Sequence, residues 1–155
     1  MRRLALFLAT CGYVGYAPVA PGTFGSAVGL AVFALVRGSG SALAEITTIV
    51  ALFAIGVWSG TEAERHFGGI DPGPVVLDEV VGMLITLAFI PVNAMGALVG
   101  FLVFRALDVI KPWPSGRFER LPGGLGVMAD DGMAALYGNG MMRILVAVTP
   151  AGWLS

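Results

Sequence analysis

Charge is what this sequence is short of. Of its 155 residues 12% are Asp, Glu, Lys or Arg and 57% are hydrophobic, whereas an ordinary soluble domain carries about a quarter charged residues. A small domain exposes much of its surface, and so few charges cannot cover it against water. Lipid is therefore the solvent that the composition implies. The net charge of -1 supplies no positive field for a polyanion, which excludes a nucleic-acid role. Cysteine is nearly missing too. A lone Cys11 excludes an internal disulfide, a thiolate zinc site and a CxxC redox pair, and it reads as a small apolar packing residue. The single histidine, His66, falls in the polar stretch from Thr61 to Gly69 and reads as an exposed loop residue.

What is present is a series of apolar runs. Met1-Arg2-Arg3 and the run after it have the outline of a secretory signal, but the rest of the chain is at least as apolar, so we read this segment as part of the working protein. Further runs cover Phe24 to Val36, Leu43 to Trp58, Val75 to Ile90 and Ala94 to Ile110, with a weaker one from Gly132 to Val148. Crossing the hydrocarbon core takes about 20 helical residues, with a lower limit near 17, so several runs are marginal. Runs this long and uniformly apolar are helices, because lipid admits only helices and closed barrels. The expected fold is all-α: one domain over residues 1–155, a compact polytopic membrane bundle of about four spanning helices plus shorter or broken ones. The 23 glycines are spread through the apolar runs, and pairs such as Gly96 and Gly100 permit close helix packing.

Alternate crossing places Arg2, Arg3, Arg65, Lys111, Arg117 and Arg120 on one side, with Arg37 opposite and Arg143 inside the last run. The positive-inside rule makes the first side cytoplasmic. The segment from Pro18 to Ser26, Asp78, Asp108 and the stretch from Gly123 to Asp131 then converge on that face. Asp78, Glu79, Asp108, Asp130 and Asp131 sit at the ends of apolar helices, where an ionised carboxylate is costly unless paired. Arg105 and Lys111 are the nearby cations, which leaves a negative excess that protonation, water or a divalent cation held by oxygen ligands can offset. Arg105, Asp108 and Lys111 are spaced three apart and form one helical stripe, about 9 Å long at ~1.5 Å per residue. Pro112 ends that helix at Lys111. Pro21-Gly22-Thr23 through Ser26 offers free backbone N–H groups, two hydroxyls and a helix N-terminus, an arrangement suited to an anion.

Together these segments resemble the phosphatidylglycerophosphatase A family. The resemblance is carried by Pro21-Gly22-Thr23 with Gly25-Ser26, Asp78-Glu79 with Gly82-Met83, Phe104-Arg105 with Asp108, Lys111-Pro112-Trp113-Pro114, and Gly123-Gly124 with Gly126, Met128 and Asp130-Asp131. It departs at Leu77, where some relatives carry Trp, and over the C-terminal residues. The resemblance implies an all-helical enzyme of the bacterial inner membrane that hydrolyses the terminal phosphate of phosphatidylglycerophosphate to phosphatidylglycerol and requires magnesium.

Missing residues narrow the chemistry. A cysteine phosphatase closes its loop with Arg, and position 17 is Ala, which excludes covalent cysteine catalysis. Two-histidine lipid phosphatases need a second histidine, and no Asp-x-Asp supports the haloacid-dehalogenase route. Metal-assisted transfer remains. In that scheme Asp78, Glu79, Asp108 and Asp131 serve as metal ligands or general base, Asp130 binds metal or orients the attack, and Arg105 and Lys111 hold the phosphate with help from Thr23 and Ser26. Direct water attack and an aspartyl-phosphate intermediate both remain open. Two other readings compete: a small ion or metal transporter with carboxylates along a path through the bilayer, and a CDP-alcohol phosphatidyltransferase. The second would share Asp131-Gly132 but lacks the required Arg at position 136, which is Leu.

Overall fold

Proline and capping residues set the helix boundaries. The computed structural model describes residues 1–118 and 120–155, and among these it contains seven α-helices, one short 3-10 turn and no strand. The helices are α1 (Arg2–Ala9), α2 (Pro21–Arg37), α3 (Ala42–Phe67), α4 (Leu77–Leu87), α5 (Ala94–Ile110), α6 (Ser115–Phe118) and α7 (Gly124–Val148), with the 3-10 turn at Val14–Tyr16. Pro21 presets the backbone angle of the first α2 residue. Ser41 and Asn93 accept hydrogen bonds from the Ala44 and Gly96 N–H groups and so cap α3 and α5. Lys111, denied the α region by Pro112, adopts φ 47° and closes α5 through its N–H to the Leu107 carbonyl. The α7 start is capped from another helix: Thr61 Oγ1 accepts from the Gly124 N–H at 2.9 Å.

The all-α expectation holds, with shifted boundaries. The run after Met1 yields the short α1 and a turn, so it is not one continuous helix. The Thr61 to Gly69 stretch is not a loop. Helix α3 continues to Phe67 and carries an exposed His66 in its last turn. Helix α7 starts at Gly124, earlier than the apolar run, because periodicity of apolar residues cannot register a helical turn made of glycine and aspartate. In the same way α2 starts at Pro21, which puts Thr23 and Ser26 inside the helix instead of in a loop before it.

Short α4 lies at the centre and is buried along most of its length. It packs mainly on α2 and α7, with α3 and α5 completing the wall. Phe33, Met83, Leu87, Phe104 and Met142 interlock around it. Residues without side chains permit this closeness. A Cβ on Gly29 would come within 2.6 Å of Met83 Cβ, and one on Gly82 would strike the Phe104 ring. Gly56, Gly60 and Gly124 let α3 and α7 meet along their backbones. Of the expected pair, Gly100 packs on Leu87, and Gly96 admits the backbone of Leu154.

The helices run so that two ends differ in character. One collects the start of α2, the end of α3, the start of α4, the end of α5 and the start of α7. At the other, Arg37 Nη1 donates to the Ile90 carbonyl at 2.7 Å, Glu45 accepts the Phe89 N–H at 2.9 Å, and Asn139 donates to the Ala88 carbonyl at 3.0 Å. Between the ends the outer faces are apolar, with Leu35, Val50, Leu102 and Ile144 all exposed. Among the described residues one helix, Ala42–Phe67, is by length and composition long and apolar enough to cross a membrane; Pro21–Arg37 is a shorter apolar helix.

The glycine seam generates a paired prediction. Gly124→Ala places a Cβ 2.5 Å from the Val57 carbonyl oxygen and 2.7 Å from the Thr61 nitrogen, both backbone atoms, and loses about 1–3 kcal/mol. Gly140→Ala, with no neighbouring atom within 4 Å, gains about 0.5–1 kcal/mol of helix propensity. Thermal unfolding in detergent followed by circular dichroism reads both.

Candidate active site

The end that collects the α2 start and the α5 end is the acidic one. The first turn of α4 presents Asp78 and Glu79, and the positive end of that helix offsets part of their charge. Asp131 comes from α7. Carboxylate oxygens of Asp78, Glu79 and Asp131 all lie within 4.8 Å of one another. Asp78 and Asp131 are 4% and 6% exposed. One oxygen of each, Asp78 Oδ1, Glu79 Oε2 and Asp131 Oδ2, is buried without a hydrogen-bond partner. Burying such an atom is expensive, and three neighbouring acids that each carry one form a group able to receive protons or a cation.

The remaining sequence candidates surround this trio in distinct ways. Arg105 Nη1 stands 2.8 Å from Asp108 Oδ2 and 3.8 Å from Glu79 Oε1. Asp108 in turn adjoins Asp131. Asp130 faces elsewhere, because successive helical residues diverge by about 100°. It is 3% exposed, pairs with Lys111 Nζ at 2.5 Å, and accepts a hydrogen bond from Ser115. Lys111 and Asp130 thus form an ion pair beside the trio. On α2, Thr23 is half-buried, while Ser26 is fully buried and donates its hydroxyl proton to the Gly22 carbonyl at 2.9 Å. Gly22 lies against Glu79 and Arg105, since a Cβ there would collide with Glu79 Oε1 and lie 3.0 Å from Arg105 Nη1. That contact brings the α2 N-terminus, which has no side-chain cap, onto the acidic cluster.

Two participants escaped the sequence reading. Asp71, at φ 49° in the loop before α4, brings further negative charge near Asp78 and Asp131. An Asp-Pro between glycines signals a turn and nothing more. Ser115 gave no signal, since its partner Asp130 is reached through the fold. At Cys11, burial together with the Glu79 charge pushes the thiol up to about 12, in keeping with its reading as a packing residue.

Pairing Arg105 with Asp108 and Lys111 with Asp130 leaves the Asp78, Glu79 and Asp131 charges without a full partner. Three oxygen donors, orphaned and crowded, match what a hard divalent cation requires. With a guanidinium and a bare helix N-terminus beside them, they define the class of site that handles phosphoryl groups.

The chain belongs to the phosphatidylglycerophosphatase A family, whose model matches residues 7–146. It is 34% identical to phosphatidylglycerophosphatase A of Escherichia coli strain K12 over 91% of this chain and 83% of that protein. It is 34% identical to the Haemophilus influenzae protein of the same name over 76% of this chain and 74% of that one. A Bacteroides thetaiotaomicron protein, provisionally named phosphatidylinositol-3-phosphatase, is 33% identical over 90% of this chain and 88% of its own length. No solved structure matches the chain. The protein is accordingly a phosphatase, as its motifs implied.

The Lys111–Asp130 pair can be tested apart from catalysis. Lys111→Met leaves a buried carboxylate without its cation and costs about 1–3 kcal/mol, and Asp130→Asn in the same chain restores most of that. Unfolding midpoints of the two single variants and the double variant measure the coupling.

Proposed function

We propose that this phosphatase removes the terminal phosphate of phosphatidylglycerophosphate, yielding phosphatidylglycerol and inorganic phosphate, with Mg2+ as cofactor. The observation that carries the reading is the orphaned oxygen trio of Asp78, Glu79 and Asp131 next to Arg105. These three carboxylates hold the cation, which when bound neutralises phosphate oxygens and lowers the pKa of water. The rest falls to the chain's own groups. Arg105 shifts a donor from its carboxylate partners to a phosphate oxygen, and the start of α2 at Gly22, which no side chain caps, lies beside the same anion. Asp108, placed between Arg105 and Asp131, accepts a proton from the attacking water as its oxygen bonds to phosphorus. The ester P–O bond breaks on the opposite side, and the leaving alkoxide takes a proton from solvent. Lys111 and Asp130 brace the α5–α7 junction at the edge of the site.

The setting proposed is the bacterial inner membrane, crossed several times, with the site at the cytoplasmic face. Helices α2, α3, α5 and α7 have 17, 26, 17 and 25 residues, enough to span or nearly span hydrocarbon with its lower limit near 17. Central α4, with 11 residues, is walled in by them. Arg65, Lys111 and Arg117 lie at the helix ends gathered at the acidic end and Arg37 and Arg143 at the other, and this excess, with the positive-inside rule, supports turning the site toward the cytoplasm. A transporter would need carboxylates along the bundle axis, whereas these gather at one end. A lipid phosphomonoester is the chemistry common to the names of the three relatives.

The deciding assay measures phosphate released from phosphatidylglycerophosphate in detergent micelles with Mg2+ and with chelator. We expect turnover with Mg2+ alone, and a loss of about 10²–10³-fold in Asp131→Asn or Asp108→Asn. Full activity in chelator would remove the metal from the scheme. Equilibrium binding gives an independent check: Mg2+ raises the unfolding midpoint of the parent protein, since a ligand bound to the folded state stabilises it, and has no such effect on Asp131→Asn. An equal rise in both proteins would contradict the assignment of Asp131 as a ligand.

A further inference from the structure

Helix α7 carries an apolar groove on each side of Leu136, a residue 60% exposed. The first groove, about 440 Å³, lies between α3 and α7 over Ile49, Phe53, Gly132 and Met133, with Phe118 of α6 at its lining. The second, about 500 Å³, lies between α5 and α7 over Leu107, Tyr137, Gly140 and Met141, beneath Pro112. Leu136 lines both. Both volumes fall in the range of ordinary ligand clefts, about 300–1,000 Å³.

Three features say what fills them. Each groove adjoins the acidic end: Leu107 precedes Asp108, Pro112 follows Lys111, and Gly132 follows Asp131. Beside Phe118 at the groove lining stands the exposed Arg117 of α6, whose guanidinium is 5.4 Å from the Trp113 ring centre; this suits an occupant that is apolar along its length and anionic at its head. The glycines here also differ from those at the helix seams. A Cβ on Gly132 would meet nothing nearer than Phe53 at 3.9 Å, and one on Gly140 nothing within 4 Å, so neither is glycine for the sake of helix packing. Both leave groove space open.

We propose that the diacyl part of the substrate straddles α7 at Leu136, with one acyl chain in each groove and the phosphorylated headgroup turned over the helix start into the acidic cluster. This deepens the function proposed above and rests on it. Recognition then has two parts: the cluster reads a phosphomonoester, and the groove pair reads two hydrocarbon chains. Diacyl lipids with different phosphorylated headgroups share the second part, so discrimination among headgroups falls to the residues around Arg105.

The test fills the grooves from the protein side. Gly132→Leu, Gly140→Leu and the double variant are assayed on phosphatidylglycerophosphate in micelles and on its deacylated, water-soluble counterpart. Displacing about two methylenes of bound chain raises KM for the diacyl lipid about tenfold per groove, while kcat/KM for the soluble substrate stays at the parent value. Circular dichroism verifies that the variants fold. Unchanged KM for the diacyl lipid, or an equal loss on both substrates, overturns the proposal while leaving the phosphatase reading intact. Parent protein that releases phosphate from neither substrate overturns that reading and takes the groove assignment with it.

Discussion

Three carboxylates within 4.8 Å of one another, in a bundle whose sides are hydrocarbon, form the constraint on which the rest of this structure depends. At an effective dielectric of about 20, two unit charges at that separation repel by roughly 3 kcal/mol. Three such pairs approach 10 kcal/mol, comparable to the whole stability of a domain, about 5–15 kcal/mol. The fold cannot carry that burden with all three ionised and nothing opposite them. Arg105 is shared with Asp108 and Lys111 is engaged with Asp130, so the residual charge is met by protonation or by a cation from outside the chain.

Holding such a cluster together requires helices that approach more closely than ordinary side chains allow. Gly29 and Gly82 bring α2 and α5 against α4, and Gly56, Gly60 and Gly124 bring α3 against α7. Gly22 belongs to the same scheme but at the site itself, where the missing side chain leaves space occupied by Glu79 and Arg105. Packing and function thus use one residue type for two ends: tight seams in the interior, open grooves on the flanks of α7.

The neighbouring pair Asp130 and Asp131 shows how much of the site was legible. Both were singled out from sequence as acids at the end of an apolar helix, and they lie about two turns inside α7, which begins at Gly124. Their roles diverge because the helix turns one toward Asp78 and Glu79 and the other toward Lys111 and Ser115, and a linear string carries no information on which partner stands opposite. Ser26 is a similar case. Its position near the α2 start was readable, but the commitment of its proton to Gly22 depends on the helix beginning at Pro21. Asp71 was invisible for the opposite reason, since a turn-forming motif accounts for it locally and only the approach of its loop to α4 gives it charged neighbours.

Composition and residue order by themselves determined the helical class, the family, and the set of acids and bases from which the candidate site is drawn. These follow from solvation and from spacing along one helix, both local properties of the chain. Tertiary structure alone decided which three carboxylates share a point, which cation each remaining acid receives, and where the flanks of α7 stay open. Those outcomes depend on distances between segments far apart in sequence, set by how closely glycine lets their helices pack.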